Sequence, residues 1–289
     1  MVKNIFTFIA VCLLSLASCQ DKMTSDDCLS SDICFEYPVQ MTFHGCNSPT
    51  LKTVLNYETI LWERGDAIKV LWGENRYNKA EAKPFNSSQN ADFETTVEEA
   101  DVYYGVYPYS AASSLTDGCL NLTVPSAQSG IFRDVNLAVA KADQSNRMTF
   151  SHVVGYIEFT TDVTGVLQLS GGQSNCLSGT VKVTGFDQSG KPVYEVTGGS
   201  STISLDVKTS GTYYIAVLPD VRMDYLYISM TDGDKVQYIL SPKTLQFTPG
   251  KLISLGNITD RFSPTCPIGA TLESFKIEEF DFNSKDTNF

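Results

Sequence analysis

The run Leu226-Tyr-Ile-Ser-Met-Thr-Asp-Gly-Asp-Lys-Val-Gln-Tyr-Ile-Leu240 decides the fold class. Leu226, Ile228 and Met230 alternate with Tyr227, Ser229 and Thr231; beyond Asp232-Gly233, Val236, Tyr238 and Leu240 alternate in turn. A period of two sends successive side chains to opposite faces of a strand, one toward a core and one toward water. Asp-Gly between two such runs predicts a β-hairpin, with a loop of up to four residues. The same period recurs outward from the hairpin. Leu120, Leu122 and Val124 show it, as do Val135, Leu137 and Val139, Val181 and Val183, and Ile203, Leu205 and Val207. Tyr213 to Leu218 is apolar throughout and predicts a strand buried on both faces. Between Met148 and Thr160 the apolar phase changes: Phe150, Val154 and Tyr156 share one parity, Ile157 and Phe159 the other, and Gly155 at the switch predicts a bulge or bend. No amphipathic helical pattern exceeds about three turns, although Ala111–Leu115 has the composition for a single turn. Many short strands separated by turn residues predict an all-β chain of sandwich or barrel type.

Length and polar punctuation set the domain expectation. The 289 residues suffice for two domains. The stretch from Ala142 to Arg147 interrupts the apolar pattern with Asp143, Gln144, Ser145 and Asn146, which places an N-terminal domain at 35–145 and a C-terminal one at 146–262, with a tail at 263–289.

The N-terminus has a different character. Lys3 precedes an apolar run from Ile5 to Leu16, shorter than the roughly 20 residues that span a bilayer, so residues 1–18 read as a signal peptide. It ends in Leu16-Ala17-Ser18-Cys19, which resembles the bacterial lipobox: small residues fit the peptidase pocket, cleavage falls between Ser18 and Cys19, and the Cys19 thiol takes the lipid. Several acyl chains hold a protein to a membrane far more durably than one. Residues 19–34 are acidic and polar, a linker in composition.

Charge and residue counts exclude much chemistry. With 21 basic and 33 acidic residues the net charge is −12, which repels phosphate and disfavours nucleic acid. Only His44 and His152 could serve imidazole chemistry. Six cysteines follow Cys19, an even number compatible with disulfides in an exported chain. None forms a C-x-x-C pair, so no metal site is expected. No nucleophile elbow, metalloprotease motif or phosphate-cradling loop occurs. Glu98-Glu99 and Glu278-Glu279 are neighbours, which a strand sends to opposite faces, unlike the facing carboxylates of a glycosidase. No catalytic residue and no cofactor are expected. Arg64-Gly65-Asp66 matches an adhesion tripeptide, but Gly-Asp is ordinary turn chemistry and the turn reading is preferred.

A series of short motifs follows in order: Trp62-Glu63-Arg64-Gly65-Asp66-Ala67-Ile68, Tyr104-Gly105-Val106-Tyr107-Pro108-Tyr109, Leu122-Thr123-Val124-Pro125 with Gln128, Phe150-Ser151-His152, Val217-Leu218-Pro219, and Gly250-Lys251-Leu252-Ile253-Ser254-Leu255-Gly256-Asn257-Ile258. Behind a lipobox, this series resembles the fimbrillin-like outer-membrane lipoproteins, surface pilin-type proteins of Gram-negative anaerobes. The resemblance covers roughly residues 35–260. It implies two tandem β-sandwich domains and a fimbrial subunit, shaft or accessory, anchored through acylated Cys19 at the outer membrane and exposed on the cell surface.

In polymerising members a protease cuts after a basic residue near the first strand, and a strand from a neighbouring subunit fills the groove that opens. A missing strand leaves unpaired backbone groups and apolar pockets, which an alternating segment from another chain satisfies. Here a first strand is expected at Phe35 to Phe43, with Lys52 in the loop after it as the first maturation candidate and Arg64 as the second. The donor candidate is the tail, where Phe275 and Ile277 alternate with charged residues and Phe280 and Phe282 flank Asp281. Partners implied are other fimbrial subunits or a second copy, outer-membrane lipid, and a host or bacterial surface ligand. Two rivals compete. A glycan-binding surface lipoprotein would need an exposed ring platform such as Tyr103 with Tyr107 or Tyr225 with Tyr227, and a secreted hydrolase would need a cleft with convergent carboxylates.

Overall fold

The computed structural model describes residues 38–47, 61–83, 88–172, 175–265 and 278–281. Strand β1 (Val39–Asn47) is followed by β2 (Ala67–Trp72), β3 (Arg76–Ala82), β4 (Asn90–Val97) and β5 (Tyr104–Tyr107). Next come β6 (Ser113–Thr116), β7 (Cys119–Val124), the short β8 (Ala127–Gln128), a four-residue helix α1 (Phe132–Val135), β9 (Ala138–Lys141) and β10 (Arg147–His152). The chain continues through β11 (Gly155–Thr161), β12 (Gly165–Ser170), β13 (Gly179–Phe186), β14 (Pro192–Gly198), β15 (Thr202–Val207) and β16 (Gly211–Val217). It closes with β17 (Arg222–Met223), β18 (Leu226–Asp232), β19 (Lys235–Ser241), β20 (Leu245–Gln246), β21 (Lys251–Asn257) and β22 (Glu278–Asp281). The protein is all-β, and among the described residues no helix is long and apolar enough to cross a membrane.

Seven strands close a barrel in the order β1-β10-β9-β5-β2-β3-β4. Strand alternation fills it: Phe43, Ile68, Val70, Ala80, Phe93, Met148 and Phe150 share one buried core with Trp62 and Tyr107. All six residues of β2 are buried, because its other face, bearing Lys69 and Leu71, is covered as well. Two further sheets, β16-β11-β21-β22 and β19-β18-β12-β15-β8, contribute Ile157, Phe159, Leu167, Leu169, Leu205, Ile215, Ile228 and Ile253 to a second core. A third core joins Leu71 and Val106 of the barrel strands to Val181, Ala216 and Leu252. The sheet β14-β13-β7-β6 links chain segments on either side of residue 145. The described residues belong to one compact unit, Tyr37–Phe289. β10, expected to open the C-terminal half, pairs with β1 and β9 and completes the barrel.

The hairpin forms where expected, with a tighter loop. Asp232 pairs with Lys235, leaving Gly233-Asp234 as a two-residue turn with Gly233 at φ 56°, a region that glycine enters without steric cost. That turn sets the register and reverses the expected face of the second arm. Ile228 lies opposite Ile239, which is buried, whereas Val236 is exposed. Gly155 marks the phase change as expected. β10 stops at His152, the chain steps to another sheet, and a Cβ on Gly155 would lie 3.0 Å from the Phe247 Cβ.

Three local expectations change. Ser113 to Thr116 forms a strand against β7, so the Ala111–Leu115 turn does not form. Val135 ends α1 while Val139 lies on β9, so the alternation there spans two elements. The Tyr213–Leu218 run is fully buried only from Ile215 onward, because β16 lies at a sheet margin. A side chain finishes that margin. The Gln128 amide donates to Ala216 O (2.8 Å) and accepts from Ala216 N (2.9 Å), while Tyr214 N donates to Gly130 O (2.9 Å).

Candidate functional site

β1 supplies the closing seam of the barrel. It runs antiparallel to β4 from Val39↔Val97 to Cys46↔Asn90, and parallel to β10 from His44↔Arg147 to Asn47↔Phe150. Its sequence Met-Thr-Phe-His-Gly alternates, and Phe43, 0% exposed, is the inward residue at its centre. The Phe43 ring meets Tyr103 edge-on at 5.4 Å between centroids. Gly45 is inward too, and a Cβ there would lie 2.4 Å from a ring carbon of Phe93. The strand therefore fills a slot that has one deep apolar position and one position shaped for a small residue. Outward, His44 Nδ1 lies 2.7 Å from Asp92 Oδ1, a partner that the register supplies and sequence distance conceals.

The Trp62–Ile68 motif braces the barrel's end. Trp62 stacks edge-on against Phe93, Tyr107 and Phe150, at 5.1, 5.2 and 5.4 Å. Glu63 to Asp66 form a closed turn: Asp66 N donates to Glu63 O, and Glu63 N donates to Asp66 Oδ2 (2.7 Å). Asp66 is 1% exposed, accepts from the Tyr107 hydroxyl (3.2 Å), and lies 3.3 Å from Arg133 Nε. Burial first, and the Asp66 charge second, hold the Tyr107 phenol well above its ordinary pKa. With Asp66 enclosed, the tripeptide it belongs to is a structural turn. Arg64 stands exposed at its tip.

Strand β22 lies at the margin of the four-stranded sheet and pairs antiparallel with β21, Phe280 opposite Leu252. Of the donor candidates, Phe280 is placed on this strand; Phe275, Ile277 and Phe282 lie outside the described residues, as do Lys52, Ser18 and Cys19. The double seam around β1 was not legible in sequence, since its parallel partner begins at Arg147, far along the chain.

The rival sites fare as follows. Tyr103 and Tyr107 are buried and form no exposed platform. Tyr225 is exposed, and Tyr227 pairs with Tyr238 at 6.2 Å. His152 is enclosed, its Nδ1 2.7 Å from the Tyr156 hydroxyl, which in turn donates to Asn136. A cavity of about 240 Å³ between Ala111, Gln128, Val135 and Ala216 presents a single carboxylate, Asp134, which accepts from Ser129 Oγ. Among the described residues Cys46, Cys119 and Cys176 are free thiols, and no group of metal-ligating side chains converges.

No family model matches the sequence, and no curated protein matches it. Solved structures do. The chain is similar to a candidate cell adhesion protein from Bacteroides ovatus, at 15% identity and a TM-score of 0.45, over 84% of this chain and 97% of the other. It is similar to a fimbrial assembly protein from Parabacteroides distasonis, at 10% identity and a TM-score of 0.35, over 76% and 91%. A candidate cell adhesion protein from Bacteroides eggerthii follows at 12% identity and a TM-score of 0.36, over 83% and 94%.

Proposed function

We propose that the chain is a lipid-anchored, surface-exposed structural or adhesive subunit of fimbrial type that assembles by strand exchange and performs no catalysis. The single observation that carries this reading is the placement of β1, hydrogen-bonded on both sides and followed in the sequence by the segment that contains Lys52. A cut after Lys52 would separate β1 from the rest of the barrel, and its departure would leave the edges of β4 and β10 unpaired around the Phe43 pocket. Arg64 is the second cleavage candidate. Cleavage there would sever the Glu63–Asp66 turn that anchors Tyr107 and Arg133, so Lys52 is preferred. The outer-membrane anchor in this reading is acylated Cys19, and the fold reading is a pair of tandem β-domains.

The donor is the C-terminal tail of a neighbouring copy or subunit. Phe280 and Phe282 repeat the spacing of Met41 and Phe43, which offers an aromatic ring for the deep position. Because β22 already pairs with β21, exchange trades a strand in cis for one in trans. N-terminal sequencing of the surface-assembled form tests the proposal. A chain starting at Thr53 supports it, and one starting at Cys19 overturns the cleavage step.

A further inference from the structure

We infer that the outer face of the barrel carries a binding site for a carboxylated sugar, a hexuronate or a sialate, centred on the ammonium of Lys69. Lys69 lies on β2, and the register places it beside Lys79, with Leu71 beside Tyr77 on the same face. The turn after β5 folds over this face: Tyr109 N donates to Ala67 O, and Ala111 N donates to Pro108 O. Lys69 is thereby held at 9% exposure. Its Nζ donates to Ala111 O (2.9 Å) and to Ser113 Oγ (3.1 Å). It also sits 5.1 Å from the Tyr77 ring centroid and 5.9 Å from that of Tyr109, while Lys79 Nζ is 5.6 Å from the Tyr109 ring.

An ammonium has three N–H groups, and the third has no oxygen or nitrogen acceptor among the described residues. No carboxylate pairs with Lys69 there, in a chain whose net charge is −12; Glu81 is engaged by Lys79. A buried cation usually has a counter-charge, and burial lowers the Lys69 pKa from its ordinary value. The vacant donor between two tyrosine rings, one of them 51% exposed, defines the ligand's chemistry. It must bring a carboxylate for the ammonium and an apolar C–H face for the rings. A pyranose acid has both. A neutral sugar lacks the charge, and an inorganic anion lacks the face. This inference is independent of strand exchange.

Isothermal titration of the full chain with trigalacturonate, sialyllactose and lactose tests it. Binding of at least one acidic sugar and not of lactose is expected, and which one binds identifies the source of the carboxylate. Lys69→Met, which keeps the buried stem, is expected to weaken that binding by about tenfold or more. Tyr77→Ala, at an exposed ring, is expected to weaken it by about threefold with an unchanged melting temperature; if Lys69→Met fails to fold, this variant decides. The inference is overturned by no acidic sugar binding at millimolar concentration, by lactose binding equally well, or by Tyr77→Ala binding as the parent does.

Discussion

The first and last described strands solve the same problem in opposite ways. β1 occupies the interior of a closed sheet and has partners on both sides, with Phe43 at its centre fully enclosed. Among the described residues β22 spans four, lies at a sheet margin and pairs on one side only. Losing the first opens two edges and a pocket. Losing the second opens one short edge. The comparison teaches which strand is suited to be an acceptor's plug and which to be a donor: a donor must leave its home sheet cheaply, and the strand it replaces must leave a site worth filling.

The largest effect should come from the plug. Phe43→Ala removes a ring from a site with no exposure, and about 3–5 kcal/mol of stability should be lost in urea unfolding. A loss below about 1 kcal/mol would mean that the pocket collapses around the gap, which would break the contrast.

A smaller effect, read through pH, sharpens it. Burial, aided by the Asp66 charge, raises the Tyr107 pKa in the folded barrel above its unfolded value of about 10. A group raised in this way contributes stability that is fully present below the unfolded pKa. That stability is lost as pH climbs from there through the folded pKa. Tyr107→Phe should therefore cost about 1 kcal/mol near neutrality, from the lost hydrogen bond to Asp66, and should flatten the decline in stability above about pH 10. Equal slopes for the two proteins in alkaline denaturation would remove Tyr107 from the barrel's stability.

The smallest effect belongs to the margin. Removing residues 278–289 should change the urea midpoint of the isolated chain by less than the equivalent of about 1 kcal/mol, since a single short ladder is lost at an edge. The same truncation should abolish any heat-labile ladder of assembled subunits on cells. A normal ladder from truncated cells would take the tail out of assembly.

Much of the fold was legible, for a simple reason. Alternation is local, so Leu120 to Val124, Ile203 to Val207 and the Asp232-Gly233 hairpin could be read directly. What was not legible depends on register and on remote partners. Val236 and Tyr238 looked inward-facing until a two-residue turn fixed Ile239 as the buried neighbour. Val135 and Val139 fit a strand pattern equally well whether one element or two held them. The barrel's closure rests on a parallel pairing of β1 with β10, and no pattern in either segment announces its partner. Nothing in the sequence around Lys69 announces its enclosure; only the register and the turn at Pro108–Ala111 set it among rings.

The Gln128 amide at the margin of β16 has a consequence for fidelity. A backbone strand laid along an edge can slide by two residues and still satisfy the ladder, so strand-capped edges tolerate errors of alignment. The Gln128 amide is itself tied back by a bond from its nitrogen to Pro125 O (3.0 Å), and from that fixed position it meets both backbone groups of Ala216. That flank of the molecule is locked at one point, so a sliding intruder gains nothing there without first breaking the lock.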